Sequence, residues 1–313
     1  MALTSSGQIT LNQVNVELGL SGTAQIGMND SAVRSLFGVA SGQIKMSDGY
    51  GASSEYVLSG NHQQITVSNY ISSGGTLRIN GGYIWSDNTS IAALIVNIPC
   101  TIINQGKIMG KGGRGGGHNI STPGYPGGPA INVTSSGVTI TNSSGAYIAG
   151  GGGGGGRYTL NPSAGGGGGA GGGQGGPGSG DSGGAGGAIG ATGSIAGPSY
   201  AFVGASAGGS GGTGGSALLT MSIGYAGAGG GRILPGTGGS CAGIYFSGNT
   251  PIYPGGSGGS AGSAGSAGST GGAGGGGWGA SGGAKSGAGG AGGSAITGTA
   301  RTLSNSGTIY GST

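Results

Sequence analysis

Residues 256–277 carry glycine at every third position without a miss: Gly256, Gly259, Gly262, Gly265, Gly268, Gly271, Gly274 and Gly277. An earlier run, from Gly166 to Gly193, keeps the same beat with Asp181 as its one exception. A period of three fits neither an α-helix nor a β-strand. It is the period of the extended polyproline-II type of helix, with three residues per turn and a rise of about 3.1 Å. A glycine every third residue leaves one face of that helix bare, so another backbone can approach closely enough to hydrogen-bond. Collagen shares the beat, but it needs unbroken triplets and much more proline. This chain holds 92 glycines and only 10 prolines, and the beat slips after Gly277. A flexible Gly/Ser linker is the other alternative, but it would not need the apolar, aromatic segments that alternate with the glycine tracts. The reading is therefore a bundle of glycine helices. Because glycine loses the most conformational entropy on folding, such a bundle must pair nearly every buried N–H and C=O with a neighbour.

Composition narrows the classes further. Charged residues make up 5% of the 313, against about 25% in a typical soluble domain. The net charge of +4 comes from ten scattered basic residues with no cluster, which argues against a nucleic-acid partner. The most apolar stretch, IAALIVNIPCTII, is too short and too polar to span a membrane, so no membrane insertion is expected. The N-terminus lacks a charged segment followed by an apolar one, so no secretory signal is read and synthesis in a cytoplasm is expected. Cys100 and Cys241 stand far apart and read as two free, semi-buried thiols.

No catalytic constellation emerges. Matches to G-x-G-x-x-G are uninformative in so glycine-rich a chain and lack the strand–helix context and downstream acid of a dinucleotide fingerprint. His62 and His118 have no metal-ligand spacing around them. Glu17, Asp30, Asp48, Glu55, Asp87 and Asp181 are never closely paired in sequence. The expectation is a protein that is not an enzyme and has no cofactor and no metal.

Three short repeats open the chain: QITLNQ at 8–13, QIGMND at 25–30 and QIKMSD at 43–48. Each reads as a brief alternating strand that ends in a capping residue. The pattern predicts strand, short helix, strand, short helix, strand over residues 1–50. Asn12 and Asn29 (or Asp30) would be N-caps, and Gly19 and Gly38 would end the helices. A second repeat family, N-x-G-x-I, appears in INGGYI at 79–84, INQGKI at 103–108 and SNSGTI at 304–309, with a looser copy in TNSSGAYI at 141–148. Strand-like runs precede these copies, which reads as rungs of a β-sandwich or β-solenoid turning at Asn-x-Gly. Glycine tracts begin right after Ile108 and Ile148, so both should leave the β base from the same end.

The fold expected is thus mainly β with irregular stretches. Residues 1–50 form a docking module, and residues 51–150, completed by 301–313, form a β base. Residues 151–300 form a polyglycine-II bundle with exposed apolar loops. Those loops carry the candidate contact residues Tyr200, Phe202, Leu218, Met221, Tyr225, Tyr245, Phe246 and Tyr253. Aromatics among Gly, Ser and Asn give rigid contact area at low entropy cost.

The opening segment, SSGQITLNQVNVELGLSGTAQIGMNDSAVRSLFGVASGQIKMSDGYG, resembles the N-terminal segment shared by many phage tail and tail-fibre proteins, in which an I-x-[LM]-N-D-type motif repeats. The glycine tracts resemble the tip adhesins of T-even-like long tail fibres. The rung INQGKIMGKGGRGGG is similar to glycine-rich domains of phage tail-tip proteins. These resemblances imply a virion protein of a tailed phage that binds a host surface protein or glycan through the loops. They also imply docking to other tail or baseplate proteins through residues 1–50. The alternative is an architectural collar, whisker or baseplate decoration whose loops pack on virion subunits. Symmetry is open between a homotrimer and a bundle closed within one chain.

Overall fold

The computed structural model describes residues 3–116, 123–156, 171–173, 256–267, 273–284 and 287–313, and the backbone of 218–220 and 243–245. Two short helices open it: α1 (Leu11–Glu17) and α2 (Ser31–Phe37). Among the described residues, two 3₁₀ turns (Met46–Gly49 and Val67–Asn69), β-strands and glycine-rich extended chain follow them.

The helices lie where the repeats place them, but the expected strands do not form among the described residues. Instead the last side chain of each repeat turns back on the backbone three residues earlier. Gln13 Oε1 accepts from Thr10 N at 2.8 Å, Asp30 Oδ2 from Gly27 N at 2.7 Å, and Asp48 Oδ2 from Lys45 N at 2.8 Å. The repeat thus encodes the same bond, from a side chain back to the N–H three residues earlier, three times over: in the first turn of α1, just before α2, and in the 3₁₀ turn Met46–Gly49. Thr10, not Asn12, is the N-cap of α1, in a reciprocal capping box with Gln13. Asp30 precedes α2, and Gly38 ends it in the left-handed conformation. The repeat isoleucines turn inward: Ile9 is buried with Val14, Val33 and Phe37, and Ile26 and Ile44 pack on that cluster.

From residue 55 the chain winds in coils of up to three strands. The first coil is β1 (Glu55–Ser59), β2 (His62–Gln63) and β3 (Ile65–Thr66). The second is β4 (Thr76–Asn80), β5 (Tyr83–Trp85) and β6 (Leu94–Val96). The third is β7 (Thr101–Asn104), β8 (Lys107–Met109) and β9 (Ile131–Val133), and the fourth opens with β10 (Val138–Asn142) and β11 (Tyr147–Ala149). After a long excursion holding β12 (Leu218–Thr220) and β13 (Gly243–Tyr245), β14 (Ile296–Gly298) closes the fourth coil. That return comes ahead of the expected residue 301. Strands β15 (Arg301–Asn305) and β16 (Thr308–Tyr310) make the fifth coil. Each strand pairs in parallel with its counterpart in the next coil, giving sheets in the orders β1-β4-β7-β10-β15, β16-β11-β8-β5-β2 and β14-β9-β6-β3.

The alternation of these β-branched strands turns every second side chain inward. In register, the inner columns are Leu77, Ile102, Ile140 and Leu303, then Ile84, Ile108, Ile148 and Ile309, then Ile65, Leu94, Ile131 and Ile296. Most of these are fully buried, each contributing about 1.5–3 kcal/mol of burial.

The N-x-G-x-I motif sits at the corner between the first and second strands of coils two to five. Its asparagines form a ladder: Asn104 Nδ2 donates to Asn142 Oδ1, and Asn142 Nδ2 to Asn305 Oδ1, both at 2.8 Å. The first copy departs from it. Ile79, not Asn80, pairs with Asn104, while Tyr83 still pairs with Lys107. The second coil's corner is one residue longer, so Asn80 is pushed outside and the ladder column continues as Ile79 and Leu58.

Candidate functional site

Two glycine-rich excursions break the coils at equivalent places. One leaves after β8 and returns at β9; the other leaves after β11 and returns at β14. Because β8 and β11 are paired neighbours, both excursions start from the same edge of the same sheet, at Gly110 and Gly150. The ends of the second also meet, with Gly293 N donating to Gly151 O at 2.7 Å.

The segment 150–156 is the axis of the glycine network. The N–H groups of Gly153 and Gly156 donate to the carbonyls of Ala280 and Gly283, whereas those of Gly151 and Gly154 donate to Gly128 and Tyr125. Its carbonyls accept in the same rhythm, Gly152 and Gly155 from Gly113 and Gly116, and Gly153 and Gly156 from Gly276 and Ala273. Gly154 and Gly151 accept from Gly290 and Gly293. Every partner series advances by three residues, and the neighbours run both parallel and antiparallel. The segment is buried throughout, and a Cβ built at Gly151, Gly153, Gly154 or Gly156 would overlap a neighbour's carbonyl oxygen. Side chains are excluded here by close backbone approach.

The period-three run lies on the outer part of the same network. A Cβ at Gly256, Gly259, Gly265, Gly274 or Gly277 would strike the carbonyl oxygen of Ser266, Ser263, Gly274, Ser257 or Ser260 respectively. Gly262 is different: with φ +77° it reverses the chain, so the run folds back on itself and Ser266 N reaches Ser257 O at 2.9 Å. Gly268 and Gly271 lie outside the described residues.

Among the described residues, one large buried side chain stands in this glycine network. Trp278 is fully buried against Met109 and Ala149, flanked by Tyr83, Trp85 and Tyr310. Met109 and Ala149 are register neighbours, one residue past the inward Ile108 and Ile148, so they face away from the coil core. Trp278 therefore clamps the second excursion onto the outer face of that sheet, and its Nε1 has no hydrogen-bond partner among the described residues. Sequence reading passed over it, although a single tryptophan inside GGGGWG is itself a signal of a packing site.

Of the candidate contact residues, Leu218 and Tyr245 fall on β12 and β13, whose backbones pair in parallel with Leu218 opposite Gly243 and Thr220 opposite Tyr245. Two apolar segments far apart in sequence are thereby joined. Tyr200, Phe202, Met221, Tyr225, Phe246 and Tyr253 lie outside the described residues.

A family model described as phage tail fibre adhesin Gp38 matches residues 51–217. The chain belongs to this family. The match starts after the helical module and runs into the second excursion. Among solved structures, the gp37-gp38 adhesin tip complex of the bacteriophage S16 long tail fiber is similar at 22% identity, covers 99% of both chains and gives a TM-score of 0.47. No curated protein matches. The protein is a receptor-binding adhesin of a phage tail fibre and a component of the virion tail.

Proposed function

We propose that the apolar segments of the second excursion make the contact with the host surface, and that the coils and the glycine network hold them there. The observation that carries this reading is the pairing of the excursion's ends at Gly151 and Gly293. All the candidate contact residues, from Tyr200 to Tyr253, are strung between two hydrogen-bonded points on one rigid base. The three-residue advance of the backbone bonds supports polyglycine-II helices. The coils form a β-solenoid, and Gly256, Gly259, Gly262, Gly265, Gly274 and Gly277 serve packing and turning of the glycine helices.

In this reading residues 1–50 dock the adhesin to another tail protein; in the adhesin tip of phage S16, gp38 is in complex with gp37. The work of the molecule is binding without chemistry, and several copies on one particle would turn weak contacts into avid ones. The test is saturable binding of labelled protein to host cells, beside a variant in which Tyr245, Phe246 and Tyr253 are changed to serine. Binding lost in a variant with an unchanged melt supports the assignment. Equal binding by both would move the contact site away from these residues.

A further inference from the structure

The return limb of the first excursion, residues 123–129, reads P-G-Y-P-G-G-P, with proline at every third place. Its three columns do different work. In one, Gly124 N and Gly127 N donate to the carbonyls of Ala288 and Ala291, both at 2.9 Å. In the next, Tyr125 N and Gly128 N donate to the carbonyls of Arg114 and Lys111 at 2.8 and 2.7 Å, and their own carbonyls accept from Gly154 and Gly151. The third column is Pro123, Pro126 and Pro129, which have no N–H to donate. Pro123 and Pro126 are exposed and Pro129 is half-buried. The limb therefore bonds inward on several sides and turns to solvent the column that cannot donate. Proline's fixed φ near −65° also suits an extended backbone of the polyproline-II type.

Other outer segments keep the same division with other residues. Arg114 is exposed between the buried pairs Gly112, Gly113 and Gly115, Gly116. Ala288 and Ala291 are exposed beside the buried Gly290 and Gly293, and Ser257 and Ser260 beside the buried Gly256 and Gly259. The enclosed axis, 150–156, is glycine throughout and has no such column. The division has a physical consequence. An extended chain with a bare outer column would offer its backbone to another chain, as an edge strand does. Close approach tolerates no side chain at the contact: a Cβ at Gly124 or Gly127 would overlap the carbonyl oxygen of Gly154 or Gly151. A side chain on the outward column therefore blocks the same kind of pairing from outside. Proline blocks it twice, by its ring and by its missing donor.

We propose that the column Pro123, Pro126 and Pro129 is a lateral stop, which keeps the glycine chains of a second copy from adding to this flank of the network. In a chain with 92 glycines, every encounter between copies brings together segments able to pair, so the flank needs a feature that refuses them. The proposal rests on the packing of the glycine network, not on which loops meet the host.

The experiment compares full-length wild type with a variant carrying Pro123→Gly, Pro126→Gly and Pro129→Gly, and with its counterpart carrying Pro123→Ala, Pro126→Ala and Pro129→Ala. Molar mass is measured by light scattering after size exclusion over a concentration series, with thermal melts alongside. Both variants regain the N–H groups, but only the glycine variant bares the column. The glycine variant should rise with concentration to about twice the wild-type mass or more, as an added copy requires, while the alanine variant keeps the wild-type mass. A folded glycine variant that holds the wild-type mass over the whole series would overturn the stop. Equal association of the alanine variant would also overturn it, since a bare column would then not be needed. Glycine loosens the unfolded chain and lowers stability. If the triple glycine variant fails to fold, Pro126→Gly alone is set against Pro126→Ala and read by the same outcomes.

Discussion

At the scale of single residues, the coils depend on polar groups placed where apolar ones would be expected. Asn104 and Asn142 are completely buried, and an unpaired buried amide costs about 1–3 kcal/mol. The ladder avoids that cost by handing each amide to the next coil, and Asn104 Oδ1 also accepts from Gly106 N at 3.0 Å, which shapes the corner. Asn142→Ala removes one of the two acceptors of the Asn104 amide, leaving it only the Tyr147 carbonyl at 3.2 Å, and removes the donor to Asn305. A loss of about 1–3 kcal/mol is expected in denaturant melts, and an unchanged midpoint would show that the ladder is incidental. Cys100 illustrates the opposite case. Burial pushes its thiol up to about 11, so at pH 8 only about one molecule in a thousand carries the reactive thiolate. In a Cys241→Ser background, native protein should resist thiol labelling at pH 8 and become labelled in denaturant. Rapid native labelling would contradict the buried placement.

At the scale of elements, the sequence made some features plain and concealed others for identifiable reasons. The three opening repeats are visible as repeats, yet Ile-x-Leu/Met alternation looks the same whether or not a partner strand exists, and pairing is a non-local property. What the repeats encode is local, a side chain reaching back three residues, and Gln13, Asp30 and Asp48 show it only once coordinates are present. The Asn80 slip has a similar origin: the motif fixes residue types but not corner length, so INGGYI and INQGKI look equivalent while their asparagines occupy different columns. The glycine beat was legible because close backbone approach leaves a compositional trace. Its reversal at Gly262 was not, since the residue that permits a turn is the residue that permits packing. Two substitutions separate these roles. Gly154→Ala places a methyl group against the Arg114 carbonyl at the buried axis, and overpacking of this kind costs about 1–3 kcal/mol or more. Gly265→Val meets the Gly274 carbonyl at a half-exposed position, where the outer segment can yield. Thermal melts should therefore show both variants destabilised, Gly154→Ala the more so despite its smaller side chain. A Gly265→Val melt identical to wild type would mean that the outer run does not pack as a bundle.

At the scale of the whole molecule, the question is how an excursion of largely side-chain-free chain keeps a fixed orientation on its base. Backbone bonds alone define a network that could slide, because a shift by three glycines restores nearly the same pairing. Trp278 breaks that degeneracy: one indole fits one site, over Met109 and Ala149 and beside Tyr310, whose ring lies 6.1 Å away at 48°. Trp278→Ala removes the only bulky contact of segment 273–284 with that outer sheet face among the described residues, a truncation of the kind that costs about 3–5 kcal/mol. The inner columns of the coils are untouched by it. Limited proteolysis should then cut within residues 256–294 at protease levels that spare wild type, while a coil fragment stays resistant and host-cell binding falls. Trp278→Phe keeps an aromatic in the site and discards an N–H that has no partner among the described residues. It should therefore lose no more than about 1.5 kcal/mol and retain binding. If Trp278→Ala were as protease-resistant as wild type, the glycine network would be self-registering and the clamp redundant. If Trp278→Phe failed along with Trp278→Ala, the indole N–H would have an acceptor in the working protein, and the site would be more than a packing contact.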